Sequence, residues 1–176
     1  MLPENLQIVG LSPSHKKIDP NKESWGLPWN PLSHRNSRWF ELHDRSLWER
    51  RGPEYLELLQ NADVPIYMQK AHDDIPMSVE FPLLPDRDYY CNSIAYMLDL
   101  AIRERRDIEI WGVDVHTDEE WWFERPCLEW WLGMAKGQGL GVWVHADSSL
   151  LKPELEIMFL DERQRYKGRY GWLEAT

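Results

Sequence analysis

Residues 92–114 read NSIAYMLDLAIRERRDIEIWGVD, and the change of periodicity inside that stretch decides the fold class. Ile94, Met97, Leu98, Ala101 and Ile102 recur at the three- and four-residue spacing of one helix face. Asn92 or Ser93 supplies an N-cap, so a helix is expected over residues 92–106. Arg103, Arg105 and Arg106 fall at its end, where positive charge suits the helix dipole. Residues 107–113 (DIEIWGV) then form a short apolar run, the pattern of a strand buried on both faces, with Asp114 directly after it.

The same alternation extends outward. On the C-terminal side, residues 124–138 read as a second helix, with Pro126 in its first turn and Gly137 and Gly139 at its end. Residues 140–145 (LGVWVH) read as the last core strand. On the N-terminal side, strands are expected at residues 6–10 (LQIVG), 23–27 (ESWGL), 38–43 (RWFELH) and 64–69 (VPIYMQ), with a helix over 53–61 that opens on Pro53. Residues 28–36 read as loop. Residues 71–90 read as a long ordered loop with a short strand near 79–81, and loops of such length in compact domains are usually functional or disordered.

Strands alternating with helices predict an α/β, Rossmann-like three-layer domain with a mostly parallel central sheet. The expected domain spans residues 1–152, and residues 153–176 read as a charged, peripheral C-terminal extension. In such sheets a ligand lies outside the carboxyl ends of the strands, at the point where strand order reverses. That rule selects Gly10 to Ser14, Glu41 to Asp44, Gln69, Asn92, Ser93 and Asp114.

Composition narrows the partners. The 176 residues carry a formal net charge of −10, without the clustered Lys and Arg that phosphate-backbone contacts need, so no long nucleic acid is expected. No run approaches the roughly 18 apolar residues of a membrane span, and the first residues lack the basic and apolar regions of a signal peptide, so no membrane partner and a cytoplasmic location are expected. The two cysteines, Cys91 and Cys127, carry no CxxC spacing and support neither a disulfide framework nor a zinc site. Eleven Trp is unusual for this length, and some are expected at a ligand pocket or at the contacts of a homo-oligomer, while core filling is the plainer reading of any single one.

Four groups of residues carry chemistry, and each has a plainer reading. The turn Gly10-Leu11-Ser12-Pro13-Ser14 offers amides and hydroxyls to a phosphate or ribose, or is simply a turn. It lacks both the dinucleotide and the P-loop glycine patterns. Glu41, His43 and Asp44, with Asp114 and His116, could do acid–base work or hold a divalent ion, or are solvated strand ends. Asn92 and Ser93 cap a helix whose free N–H groups also suit an anion. Glu119, Glu120, Glu124, Arg125 and Glu129 surround Trp121, Trp122, Trp130 and Trp131, a pattern that suits a base, a sugar or a cation as well as an exposed acidic turn.

The stretches IVGLSPS, ESWGL, RWFELH, VPIYMQ, IPMSVEFPL, YYCNSIAYMLDLAI, EIWGVDV, ERPCLEWWLGMAKGQG and SSLLK, between residues 6 and 152, resemble a group of small phage and prophage proteins. These are commonly labelled as similar to the archaeal 6-hydroxymethyl-pterin pyrophosphokinase. A more distant resemblance is to the bacterial sialyltransferases that use a CMP-sugar donor. Their first strand ends in a Gly-x-x-Pro-Ser turn against the nucleotide, matched here by Gly10, Pro13 and Ser14. The resemblance implies nucleotide contacts from Ser12, Ser14, Asn92, Ser93, Asp114, Ser148 and Ser149, within the host cytoplasm if the chain is phage-encoded. The sialyltransferases carry a general-base His where this chain has EEWWFERPC, and only His116 comes near. The pyrophosphokinase role implies ATP and a divalent ion such as Mg2+, with Glu41, Asp44 and Asp114 as the available carboxylates.

These readings combine into three expectations. The first is a transferase of glycosyl or pyrophosphoryl groups, with a small nucleotide-type ligand and with Asp114, Glu41 and His43 at the reaction. The second is a binding protein without turnover that sequesters a host nucleotide signal, with Trp25, Trp111 or Trp122 stacking on the base. The third is a structural protein whose Trp-rich faces make oligomer contacts and whose cleft goes unused.

Overall fold

Alternating faces along the strands settle the layers. In β3 (Arg38–Glu41), Phe40 enters one apolar cluster, while Trp39 enters another on the opposite face. In β4 (Ile66–Met68), Tyr67 packs with Phe40, while Ile66 and Met68 join Trp39. A sheet with both faces apolar must be covered on both sides, and it is. The computed structural model describes residues 5–115, 123–148 and 150–151. The expected C-terminal extension, together with His116, Glu119, Glu120, Trp121, Trp122 and Ser149, lies outside the described residues.

Among the described residues seven strands, all parallel, form one sheet: β1 (Leu6–Val9), β2 (Ser24–Gly26), β3, β4, β5 (Ser78–Glu80), β6 (Ile108–Trp111) and β7 (Val142–Val144). Their order across the sheet is β5-β4-β3-β2-β1-β6-β7. The chain winds outward from β1 to β5, returns across the sheet through one helix, and resumes beside β1. The order therefore reverses between β1 and β6, and the α/β, Rossmann-like three-layer class expected from the sequence is what the chain adopts.

The helices are α1 (Arg45–Glu49), α2 (Pro53–Gln60), α3 (Ser93–Arg103) and α4 (Glu124–Gly137). The returning helix α3 crosses β1, β2 and β3 and packs against α4. It is buried on almost every side, which is why Ala95 and Asp99 are as inaccessible as its apolar stripe. In α4, Cys127, Leu128, Trp131, Leu132 and Ala135 recur on one face and are buried. The larger core lies between the sheet and these two helices; a smaller one, around Trp39, Trp48, Tyr55 and Leu59, lies under α1 and α2. Trp25, Trp48 and Trp131 are fully buried. Each contributes about 4–6 kcal/mol of transfer free energy before chain ordering is subtracted.

Two features depart from the expectation. Helix α1 stands where the sequence predicts no element, because five residues show no periodic stripe. Strand β7, read as a core strand, is an edge strand whose Trp143 is exposed. Local apolarity does not reveal position in the strand order. Both edge strands, β5 and β7, are three residues long, which limits unpaired edge backbone.

Candidate functional site

At the reversal of strand order the carboxyl ends of β1 and β6 are held together beyond the strands themselves. Gly10 N–H donates to the Trp111 carbonyl and Ser12 N–H to the Gly112 carbonyl, each at 2.8 Å. The Ser14 hydroxyl accepts from Gly112 N–H at 2.7 Å, and the Ser12 hydroxyl accepts from Asp114 N–H at 3.3 Å. Gly112 has φ +64°, so the chain turns sharply as β6 ends, which an L side chain would resist. On the other side of β1 the buried Asn30 amide donates to the Gly10 carbonyl at 2.5 Å, and its oxygen accepts from Leu32 N–H at 2.8 Å. The loop after β2 is thereby drawn over the end of β1, and Trp29 comes with it.

A cavity of about 330 Å³ opens here. The turn residues Gly10 and Ser12, the start of α3 at Asn92 and Ser93, and Asp114 all line it. So do Glu41, His43 and Glu124. Asn92 caps α3 through its side-chain oxygen, which accepts from Ala95 N–H at 3.0 Å. The first turn of an eleven-residue helix therefore faces the cavity with its remaining N–H groups and positive dipole end. One oxygen of Asp114, Oδ1, is buried and accepts no hydrogen bond among the described residues.

Glu41 is the best-supplied acceptor of the region. Although 2% exposed, its Oε1 accepts from His43 Nδ1 at 2.5 Å and from His43 N–H at 3.1 Å. Its Oε2 accepts from Arg51 at 3.1 Å and from the Tyr55 hydroxyl. Burial pushes the carboxyl up, but the hydrogen bonds from His43 and Tyr55 and the charge of His43 outweigh it, so Glu41 titrates below its ordinary value. The Tyr55 phenol is pushed far up, by burial first and then by Glu41. An ionised carboxylate only accepts, so the proton of the shared bond belongs to His43 Nδ1. In neutral imidazole that leaves Nε2 as the acceptor, the tautomer a general base needs. Glu41 is thus the orienting partner, and His43 is the group with a free nitrogen among the described residues.

Arg51 joins this dyad to the aromatic wall. Its guanidinium lies 3.3 Å from the centroid of the Trp29 ring, and Trp29 stands 4.8 Å from Tyr55. Both Trp29 and Arg51 line the cavity, and the sequence reading picked neither. A Pro-Trp-Asn-Pro loop directly after a strand was the available signal for Trp29. Of the tryptophans expected to stack, Trp25 is inside the core, Trp111 packs at 4.9 Å on Trp143 at the far side of β6, and Trp122 lies outside the described residues.

The remaining expected residues support the site from behind or lie off it. Ser14 and Ser148 are buried and hydrogen-bond to backbone, Ser148 donating to the Val113 carbonyl at 2.5 Å. Pro13 begins the short 3-10 turn Pro13–Lys17, and its side chain faces outward. Arg125 pairs along α4 with Glu129 at 2.9 Å. The carboxylates of Glu41, Asp44 and Asp114 do not converge. Glu41 has its lone pairs taken by four donors, and Asp44 lines a different cavity. Among the described residues no group of three or more His, Cys, Asp and Glu is arranged to hold a metal, so those three do not fit the divalent ion that the pyrophosphokinase resemblance implies. No described helix is long and apolar enough to cross a membrane.

No protein-family model, curated protein or solved structure matches the chain.

Proposed function

We propose that the chain binds a small nucleotide-type ligand at the junction of β1 and β6 and transfers a glycosyl or pyrophosphoryl group from it. The observation that carries this reading is the sharing of one cavity wall by the α3 N-terminus and the Glu41–His43 dyad. The helix start suits a phosphate without requiring net positive charge. Trp29, with Arg51 stacked on it, offers planar surfaces to a base. The unpartnered Asp114 Oδ1 suits a ribose hydroxyl. His43, held in its basic tautomer by Glu41, suits removal of a proton from an attacking hydroxyl. The volume suits a mononucleotide.

The test is a thermal-shift screen of nucleoside mono- and triphosphates and nucleotide-sugars, with chromatography of each ligand after incubation. A ligand that binds only the folded chain raises its melting temperature by mass action. A shift with consumption of the ligand supports transfer. A shift with the ligand intact supports a binding protein that sequesters it, and no shift with any nucleotide overturns the proposal.

A further inference from the structure

A second cavity, of about 270 Å³, opens on the same carboxyl edge of the sheet, between the ends of β3 and β4. The Gln69 amide ties these two ends together by donating to the Leu42 carbonyl at 2.7 Å. His43 borders both this cavity and the larger one. Its Nδ1 is committed to Glu41, which leaves Nε2 as the ring nitrogen without a partner among the described residues. Asp44, Ser46, Lys70 and His72 add further polar groups to its wall.

The charges in this wall are not equivalent. Arg45 also lines it, but its guanidinium is spent on two hydrogen bonds to Asp74, at 2.7 and 2.9 Å, and one to Glu49 at 2.5 Å. Lys70 makes no ion pair among the described residues. It lies close enough to His72 that burial, Arg45 and Lys70 together hold that imidazole below its ordinary value. The wall therefore presents one uncommitted cation, one carboxylate, one hydroxyl and one neutral imidazole. A ligand with an acidic group for Lys70 and hydroxyls for Asp44 and Ser46 matches that set.

We infer that the smaller cavity is the acceptor subsite of the transfer, and that it takes a small hydroxylated phosphate or carboxylate. The inference rests on the nucleotide-donor reading above. The acceptor O–H gives its proton to His43 Nε2. The oxygen's electron pair forms the new bond to the electrophilic carbon or phosphorus of the donor. The donor's bond to its leaving oxygen breaks, and that electron pair stays on the nucleotide. Glu41 stabilises the imidazolium while it holds the extra proton, and nothing is oxidised or reduced.

Ring-carbon NMR of the histidines in the full chain tests this, with His43→Gln and His72→Gln assigning the two signals. AMP, GMP, CMP and UMP are the donor-site probes; at least one is expected to move His43 and leave His72 in place. Glycerol 3-phosphate and glycerate are the acceptor-site probes and separate phosphate from carboxylate recognition. At least one is expected to move both His43 and His72. The exposed Lys70→Ala variant should weaken that acceptor probe at least tenfold and leave the nucleotide within twofold. If nucleotides move His43 while neither small anion moves His72, or if Lys70→Ala changes nothing, the acceptor subsite is wrong and the donor reading stands. If no nucleotide moves His43, the donor reading itself fails.

Discussion

A side-chain carbon on Gly10 would stand 2.2 Å from the carbonyl oxygen of Gly112 and 2.9 Å from Val113 Cγ2. The floor of the cavity is therefore two backbones in contact, and neither can carry a side chain. Gly10→Ala is expected to push the ends of β1 and β6 apart at a cost of about 1–3 kcal/mol, the usual range for overpacking. It should also abolish any thermal shift by nucleotides. Urea denaturation with the nucleotide screen repeated on the variant checks both. A variant of unchanged stability would mean that the junction is looser than the geometry requires.

Glu41 makes the chain's stability depend on pH in a defined direction. Its folded value lies below the ordinary one, so its contribution is fully present above about pH 4.3. It is lost as the pH falls through the lowered folded value, because the unfolded chain takes up the proton first. Glu41→Gln should cost about 1–3 kcal/mol at pH 7, as donors lose a charged acceptor, and should flatten the acid limb. Urea midpoints between pH 3 and 7 measure this. Equal acid limbs in both proteins would contradict the assignment.

Asp99 separates structural from surface ion pairs. It is fully buried in α3, accepts hydrogen bonds from Tyr90 at 2.9 Å and from Arg87, and forms an ion pair with Arg103 at 3.2 Å. These bonds tie the loop before α3 to the helix, and with it Cys91 and Asn92 at the cavity. Asp99→Asn should cost about 3 kcal/mol, since it leaves partly buried arginines unpaired. Asp74→Asn, which breaks an exposed pair with Arg45, should leave the denaturation midpoint where it is. Comparable losses in the two variants would show that the buried cluster is not what anchors the loop.

The two cysteines, distant in sequence, are neighbours at the cavity but should differ in reactivity. Cys91 is half-buried and lines the cavity. Cys127 is fully buried, and burial first, then its Cys91 neighbour and Glu124, push its thiol up to about 12. Because the thiolate is the nucleophile, iodoacetamide at pH 8 should alkylate Cys91 and spare Cys127 in the folded chain. A bound nucleotide should slow the reaction at Cys91. Peptide mass spectrometry reads both sites, and equal labelling of the two would overturn the assignment.

Periodicity and turn residues were enough to read the elements around the site. Residues 94–102 show one helix face, residues 107–113 a buried run, and residues 6–10 a strand ending at a glycine turn. These patterns are local, because side-chain spacing reports which faces an element buries. The rule that ligands sit at carboxyl strand ends then selected Gly10, Ser12, Glu41, His43, Asn92, Ser93 and Asp114 before any of them had a position.

Strand order and long-range convergence were not legible in that way. Nothing local in LGVWVH says that β7 lies at the sheet edge, since a strand's neighbours come from elsewhere in the chain. Trp29 and Arg51 lie in segments without periodicity, and they meet only because Asn30 reaches the Gly10 carbonyl and α2 packs under β3. The division of labour between Glu41 and His43 likewise needed Tyr55 and Arg51 to arrive from α2 and the turn before it. A residue's type limits what chemistry it can do; which donors reach it, and hence which atom stays free, is set by packing between segments far apart in the sequence.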